Sequence, residues 1–144
     1  MENSDKSIES SNLTADVLLD VSLERLRQNN KFGIQDLAML SQIPNPQDVS
    51  YSLMSDHYGI AVASRAKYNC DNAFENNIGT WFHVLVEEVA ESMEAAYFHG
   101  DISKELEEEL IQTAAVAIAM VEHIRKERIA IEATGKSSRA ADVI

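Results

Sequence analysis

The sequence predicts an all-α protein, a bundle of four to five helices completed by oligomerisation. Among the 144 residues there are only two prolines and five glycines, the residues that punctuate sheet-rich folds with turns. Apolar residues recur at helical spacing over much of the chain. The segment Leu110–Val121 is apolar on nearly every side, as in a central, buried helix. One chain of this length offers few helices to surround that segment, so we expect part of it to lie between subunits.

The N-terminal third predicts a tail, a helix and a loop. Residues 1–12 are polar and acidic without periodicity, which is typical of a disordered tail. Thr14 can cap a first helix that reaches about Gln28, with Gly33 at its end. Residues 34–54 contain a short helical turn and then Pro44 and Pro46, which force an extended loop and make this region a candidate lid.

The remaining elements are helices separated by glycines. We expect a second helix from Ser55 or Asp56 to about Asn77, broken by Gly79. Thr80 is a good N-cap for a third helix, Trp81 to His99. Gly100 is the type of residue that commonly follows the C-terminus of a helix. Asp101 or Ser103 caps a fourth helix that reaches about Ala133, and residues 135–144 form a flexible tail. The predicted helical domain therefore covers residues 13–134.

Composition excludes several classes of function. The net charge of −12 argues against nucleic acid as a partner, because duplex binding needs clustered Lys and Arg. No run approaches the ~18 apolar residues of a membrane span, and the polar N-terminus lacks a signal core. With Cys70 as the single cysteine there is no intramolecular disulfide and no zinc spacing. These features predict a cytoplasmic protein without a membrane partner.

Two helices carry oxygen-bearing side chains at matching spacing. Glu88 and Glu91 are three residues apart and so share a helix face, with Glu87 nearly aligned. Glu109 and Gln112 repeat that spacing on the next helix, and a bend at Gly100 can bring the two helices face to face. Such like charges among apolar neighbours need a positive partner, and a divalent cation with oxygen ligands is the simplest one.

A different interpretation remains open for these acids. Glutamates near a helix N-terminus complement the helix dipole, which accounts for Glu105, Glu107 and Glu108. Glu88, Glu91 and Glu109 could likewise be solvated side chains of a purely structural oligomer. Spacing alone does not choose between these interpretations.

Several motifs in order resemble the MazG-like all-α nucleoside triphosphate pyrophosphohydrolases. EEVAE (Glu87–Glu91) followed by EELIQ (Glu108–Gln112) resembles the EExxE…ExxD signature of that superfamily. ERLRQNNKFGIQ (Glu24–Gln35) is similar to the ERxRQxxKWGxQ pattern of a subgroup common in phage and bacterial genomes. AKYNCD (Ala66–Asp71), GTWFHVLVEEVAE (Gly79–Glu91) and EELIQTAAVAIAMVE (Glu108–Glu122) resemble its middle and last segments. The resemblance covers roughly residues 22–125.

The resemblance implies a function and a set of site residues. It implies a MazG-like bundle that cleaves a (deoxy)nucleoside triphosphate to monophosphate and pyrophosphate, with Mg²⁺, or alternatively Mn²⁺, as cofactor. Glu88, Glu91 and Glu109 match the metal-binding acids, and Gln112 occupies the fourth ligand position. Glu87 would orient or activate the water. The implied partners are a small-molecule nucleotide and further copies of the chain, as a dimer or tetramer.

Three residues are candidates for contact with the nucleotide. Lys31 and Gln35 match the KxGxQ part of the subgroup pattern, where the lysine could contact phosphate and the glutamine a base or sugar edge. Lys31 could equally be a basic residue at a helix end capped by Gly33. Trp81 could stack on a base or pack in the core. Cys70, on an apolar helix face, is interpreted as a buried small hydrophobe.

Gln112 leaves two functions open. The superfamily signature has Asp at this position, and a neutral amide is a poorer Mg²⁺ ligand than a carboxylate. A site with three acids could therefore bind a nucleotide without cleaving it efficiently. The alternative function is a non-catalytic nucleotide-binding protein, for example a viral sponge that sequesters a defence signalling nucleotide in the host cytoplasm.

Overall fold

The computed structural model describes residues 2–40 and 49–135 of the chain, with side chains from residue 9 onward except residue 10. Every regular element in these residues is a helix, which confirms the predicted all-α class. There are five: α1 (Glu2–Phe32), α2 (Tyr51–Tyr58), α3 (Ala63–Glu75), α4 (Trp81–His99) and α5 (Lys104–Thr134).

Helix α1 begins much earlier than the sequence analysis places it. Its 31 residues start at Glu2 instead of after Thr14, so they include most of the stretch assigned to a tail. The segment Glu2–Phe32 contains no proline or glycine, and a helix that has nucleated continues until such a residue interrupts it. Gly33, with a positive φ of 73°, follows its last residue.

The single helix predicted between Ser55 and Asn77 is two helices, so that prediction is wrong. Gly59 separates them: it adopts the left-handed conformation (φ 67°, ψ 23°), and its N–H donates to the carbonyl oxygens of Ser55 and Asp56. Glycine takes this conformation without the steric penalty that other residues meet, and this makes it a natural helix terminator. The second helix begins earlier than predicted, at Tyr51, where the Ser50 side chain caps it.

The predicted bounds of α4 are confirmed. Thr80 is its N-cap: the hydroxyl accepts a hydrogen bond from the backbone N–H of His83, and the His83 ring completes a capping box by accepting from the Thr80 N–H. Gly100 follows the last helical residue, and its N–H donates to the carbonyl of Ala96. His83 therefore has a structural role at the start of this helix.

Helix α5 also agrees closely with the prediction. Ser103 caps its first turn by accepting a hydrogen bond from the Leu106 N–H at 3.1 Å. The short helical turn expected at Leu37–Ile43 is not helical over residues 37–40, and its remainder lies outside the described residues. The loop around Pro44 and Pro46 lies outside them as well.

The chain divides into two compact units, and α5 passes from one to the other. The first unit consists of Met1–Lys31 and Ile118–Ile144. Within it, Thr14 donates a hydrogen bond of 2.6 Å to Glu122, and Arg125 forms a close ion pair with Asp20. Val17 is buried in this unit.

The second unit, Phe32–Ala117, contains α2, α3, α4 and the first part of α5. Its main core joins Leu40, Met54, Met93 and Leu106 with two alanines of α4, Ala95 and Ala96. Tyr97 fixes the segment before α2, because its hydroxyl donates to the carbonyl of Val49 at 2.7 Å. This unit holds the acidic segments of both α4 and α5.

The apolar segment of α5 is only partly covered by the rest of the described chain. Within the second unit, Leu110 is 41% exposed and Ile111 is 62% exposed. They line a groove that also includes Met39 and Ile102, both exposed. Among the described residues, none of the helices has the length and apolar character required to span a membrane.

Candidate metal centre

The candidate site lies where α4 faces the first part of α5. The carboxylates of Glu88, Glu91 and Glu109 each offer an oxygen, and these oxygens all lie within 4.8 Å of one another. Next to them, the hydroxyls of Ser92 and Thr113 hydrogen-bond across the two helices at 2.9 Å. The structure thus brings together the three acids that the sequence analysis selected, although they lie up to 21 residues apart.

Burial and mutual repulsion both act on these carboxylates. All three residues are partly buried. The pKa of Glu88 is raised above its ordinary value, first by burial and then by the charges of Glu109 and Glu87. The pKa of Glu91 is raised for the same reasons. The cluster is therefore electrostatically costly without a positive partner.

One carboxylate oxygen of Glu88 lacks a hydrogen-bond partner among the described residues. Oε2 of Glu88 is buried and accepts no hydrogen bond from the described part of the protein. A buried acceptor without a partner costs free energy, of order 1–3 kcal/mol. Converging carboxylate oxygens with an unsatisfied lone pair are the donor set that Mg²⁺ and Ca²⁺ take, so the chemistry of the residues fits a divalent cation.

Gln112 lies beside the cluster as a partner of Glu109. Its amide Nε2 donates to Oε2 of Glu109 at 3.3 Å, one helical turn along α5, and the side chain is exposed. An amide stabilises the neighbouring carboxylate without adding negative charge. The site therefore has three charged oxygen donors and one neutral neighbour.

Glu87 points toward α3. Its Oε1 lies 3.6 Å from Nζ of Lys67, and its side chain is only 16% exposed. It also hydrogen-bonds Cys70, whose pKa is raised to about 11 by burial first and by Glu87 second. The prediction that Cys70 is buried is confirmed. Glu87 remains close enough to the cluster for its charge to raise the pKa of Glu91.

The candidate nucleotide contacts are not part of the cluster. Lys31 is the basic residue in the last turn of α1 and belongs to the first unit. Gln35 is exposed in the irregular segment after Gly33. Trp81 is 41% exposed at the start of α4, two turns or about 10 Å along the axis from Glu88.

A neutral groove runs beside the site between α3 and α4. Its volume is about 460 Å³, and it does not include the three glutamates. Asn69, Asn72 and His83 contribute polar groups, and Phe82 is exposed at its edge. Val86 and Ala66, which line it, directly precede Glu87 and Lys67 in the chain.

The sequence analysis did not identify Lys67 as part of this neighbourhood. Its pairing with Asp71, at 3.4 Å, follows from the i, i+4 spacing and could have been read from the sequence. Its contact with Glu87 depends on α3 packing against α4, for which no local pattern gives a signal.

Comparisons with known proteins identify no relatives: no family model matches the chain, and neither curated proteins nor solved structures show a significant match.

The raised pKa values predict a distinctive pH dependence of stability. A carboxyl group whose folded-state pKa exceeds its unfolded value of about 4.5 stabilises the fold below that value, and this contribution is lost as the pH rises through the folded pKa. Glu88→Gln removes the effect. We expect the metal-free variant to have a Tm a few degrees above that of wild type at pH 7.5, because the neutral amide carries no charge to be repelled or desolvated. The measurement is thermal unfolding in EDTA from pH 4.5 to 8.

Glu108→Gln is the matched control, since it removes the same charge from an exposed residue paired with Lys104. The difference in Tm between Glu88→Gln and wild type should shrink toward pH 4.5, whereas that of Glu108→Gln should stay small throughout. Equal changes in Tm for the two variants would show that burial and repulsion of the clustered carboxylates do not lower the stability of the fold.

Proposed function

We propose that this chain is a Mg²⁺-dependent nucleotide pyrophosphohydrolase of the MazG-like type. It would cleave a (deoxy)nucleoside triphosphate to a monophosphate and pyrophosphate. The observation that carries the proposal is the convergence of three carboxylates from two helices within 4.8 Å, one of them with a buried oxygen that accepts no hydrogen bond among the described residues. The motif order of the sequence supports the substrate class. We place the activity in the cytoplasm, or in that of the host if the gene is viral.

Each site residue receives a role in this proposal. Glu88, Glu91 and Glu109 would hold the cation, and Gln112 could add its amide carbonyl. Once bound, Mg²⁺ supplies neutralisation of phosphate charge and lowers the pKa of a coordinated water. Glu87 would accept the proton of the attacking water at a carboxylate oxygen.

Substrate contacts are assigned to residues outside the cluster. Trp81 would stack on the base, and Gln35 would hydrogen-bond the base or sugar. Mn²⁺, which takes similar oxygen ligands, would substitute for Mg²⁺.

Removing one metal-binding acid tests the proposal directly. We expect wild type to release pyrophosphate from at least one triphosphate in a panel of the common ribo- and deoxynucleotides, only with Mg²⁺ or Mn²⁺. Glu91→Gln should lower this rate at least about 100-fold, because a charged ligand is lost from the centre of the site. The control is again Glu108→Gln. If Mg²⁺ neither binds to wild type in calorimetry nor raises its Tm, the metal site is wrong.

Gln112 favours a second candidate function, sequestration without hydrolysis. The residue contributes an exposed neutral amide bonded to Glu109 where the related signature has a carboxylate. A protein with this site could retain a nucleotide, including a cyclic signalling nucleotide, at a stoichiometric amount. Mass spectrometry of the bound and released nucleotides separates the two candidates, since only the enzyme produces monophosphate and pyrophosphate.

Restoring the carboxylate tests whether Gln112 limits catalysis. Gln112→Asp adds a fourth negative ligand, so we expect Mg²⁺ affinity to rise by about tenfold and pyrophosphate release to increase with it. Without metal, the added like charge should lower the Tm, and saturating Mg²⁺ should recover it through binding to the folded state. Paired melting curves and a pyrophosphate assay measure both effects.

The same experiment can contradict the sequestration function. Brisk turnover by wild type, unimproved in Gln112→Asp, would remove its main support. Gln112→Asn is the control, because it shortens the side chain without adding charge.

We further propose that the chain assembles as a dimer or tetramer through the apolar groove of the second unit. Leu110 and Ile111 are exposed there together with Met39 and Ile102, beside Asp101 and Glu107, and an exposed apolar patch rimmed by polar residues marks an interaction surface. The partner that the sequence analysis predicts is a second copy of this chain, because one chain has too few helices to bury the apolar segment of α5.

Ile111→Lys should convert the assembly to a smaller species in light scattering at micromolar concentration, because it places a charge within the apolar contact. Ser64→Lys, which adds the same charge at an exposed polar position of α3, should leave the mass unchanged. A wild-type protein that is monomeric at this concentration would contradict the proposal.

A further inference from the structure

Lys67 projects from α3 beside the acidic segment of α4. Its Nζ lies 3.4 Å from Oδ2 of Asp71 and 3.6 Å from Oε1 of Glu87. The Lys67 side chain is 59% exposed, whereas that of Glu87 is 16% exposed. In this ion pair the ammonium group of Lys67 is exposed to solvent, whereas the carboxylate of Glu87 is largely buried between α3 and α4.

This ammonium group is within electrostatic reach of Glu91, one of the three proposed metal-binding acids. Glu87, its partner, directly precedes Glu88 and lies one turn before Glu91. The positive charge of Lys67 opposes the effects that raise the pKa of Glu91. Its own pKa is raised, first by the hydrogen bond to Asp71 and then by the charges of Asp71 and Glu87, so it stays cationic at neutral pH.

The contacts that Lys67 makes are loose. Both distances exceed the 2.7–2.9 Å of a tight charge-assisted hydrogen bond. Ion pairs with an exposed partner contribute little to stability, about 0–1 kcal/mol. Lys67 can thus exchange a carboxylate oxygen for another anionic oxygen without disturbing the packing of α3.

The charge balance of the site calls for such a cation. One divalent ion among three carboxylates leaves the centre with a net negative charge, and a phosphate chain adds several more negative charges. A ligand that approaches this centre needs a positive group beside the metal. Among the residues described near Glu87 and Glu91, Lys67 supplies one.

We propose that Lys67 is a phosphate-binding residue of this site, where its ammonium group leaves Glu87 and contacts a non-bridging oxygen of the metal-bound phosphate chain. This inference rests on the proposed function, because it requires the cation held by Glu88, Glu91 and Glu109. In the ligand-free protein, the same group serves as a partial counterion of the acidic cluster.

The two roles of Lys67 predict opposite effects of its removal. Lys67→Gln takes a positive charge away from the cation's surroundings, so Mg²⁺ alone should bind as tightly as to wild type or up to about fivefold more tightly. Inorganic tripolyphosphate, titrated at saturating Mg²⁺, should bind about tenfold more weakly, because its phosphate oxygen loses a charged donor. A residue that only holds α3 in place would weaken both interactions together.

Calorimetric titrations of Mg²⁺ and of tripolyphosphate make this comparison, with two further variants. Lys67→Arg keeps the charge and should restore most of the tripolyphosphate affinity. Lys104→Gln is the matched control, since Lys104 is an exposed lysine paired with Glu108 at the same i, i+4 spacing.

The outcomes separate this inference from the function on which it rests. If wild type binds Mg²⁺ and Lys67→Gln weakens tripolyphosphate binding no more than Lys104→Gln, Lys67 is not a phosphate contact, although the metal centre stands. Weaker binding of both ligands with a lower Tm shows a structural role and overturns the inference. If wild type binds no Mg²⁺, both the metal centre and the phosphate contact fail.

Discussion

The close approach of α4 to both of its neighbours is the constraint on which the second unit depends. On one side Ala90, fully buried, packs against Ala63 and Ala66 of α3. On the other, small hydroxyl side chains meet where Ser92 bonds Thr113 of α5. Small residues let helices approach near the lower end of the usual 8–10 Å separation. The acidic side chains between these contacts are therefore forced together with the facing helix.

This packing brings together carboxylates whose burial and mutual repulsion destabilise the folded state. Burial and the charge of Glu109 both disfavour the ionised forms of Glu88 and Glu91. Apolar and alanine contacts along α4 act in the opposite direction and stabilise the packing. Under the proposed function, a bound cation would relieve this repulsion, so the stability of the unit and its affinity for metal would be linked.

The residues on the two sides of the cluster differ in charge and polarity. The α3 side carries Lys67, Glu87 and a neutral groove lined by carboxamide side chains. The α5 side carries Gln112, bonded to Glu109, and then an exposed apolar surface. The α3 side therefore offers a cation and neutral amides, whereas the α5 side offers an apolar surface.

The sequence by itself determined the helical class, the bounds of α4 and the choice of Glu88, Glu91 and Glu109. These follow from local physics: caps such as Thr80 act on adjacent residues, and i, i+3 spacing fixes which side chains share a helix face. It failed at Gly59, whose left-handed conformation splits one predicted helix into two, and at the start of α1, where no breaker marks an end. Only the tertiary structure decided that Glu109 faces Glu91, that Lys67 reaches Glu87 and that Glu88 keeps an oxygen without a partner among the described residues. Those features depend on which helices pack together and how closely, and residues distant in sequence, such as Ala63 and Ala90, set that distance.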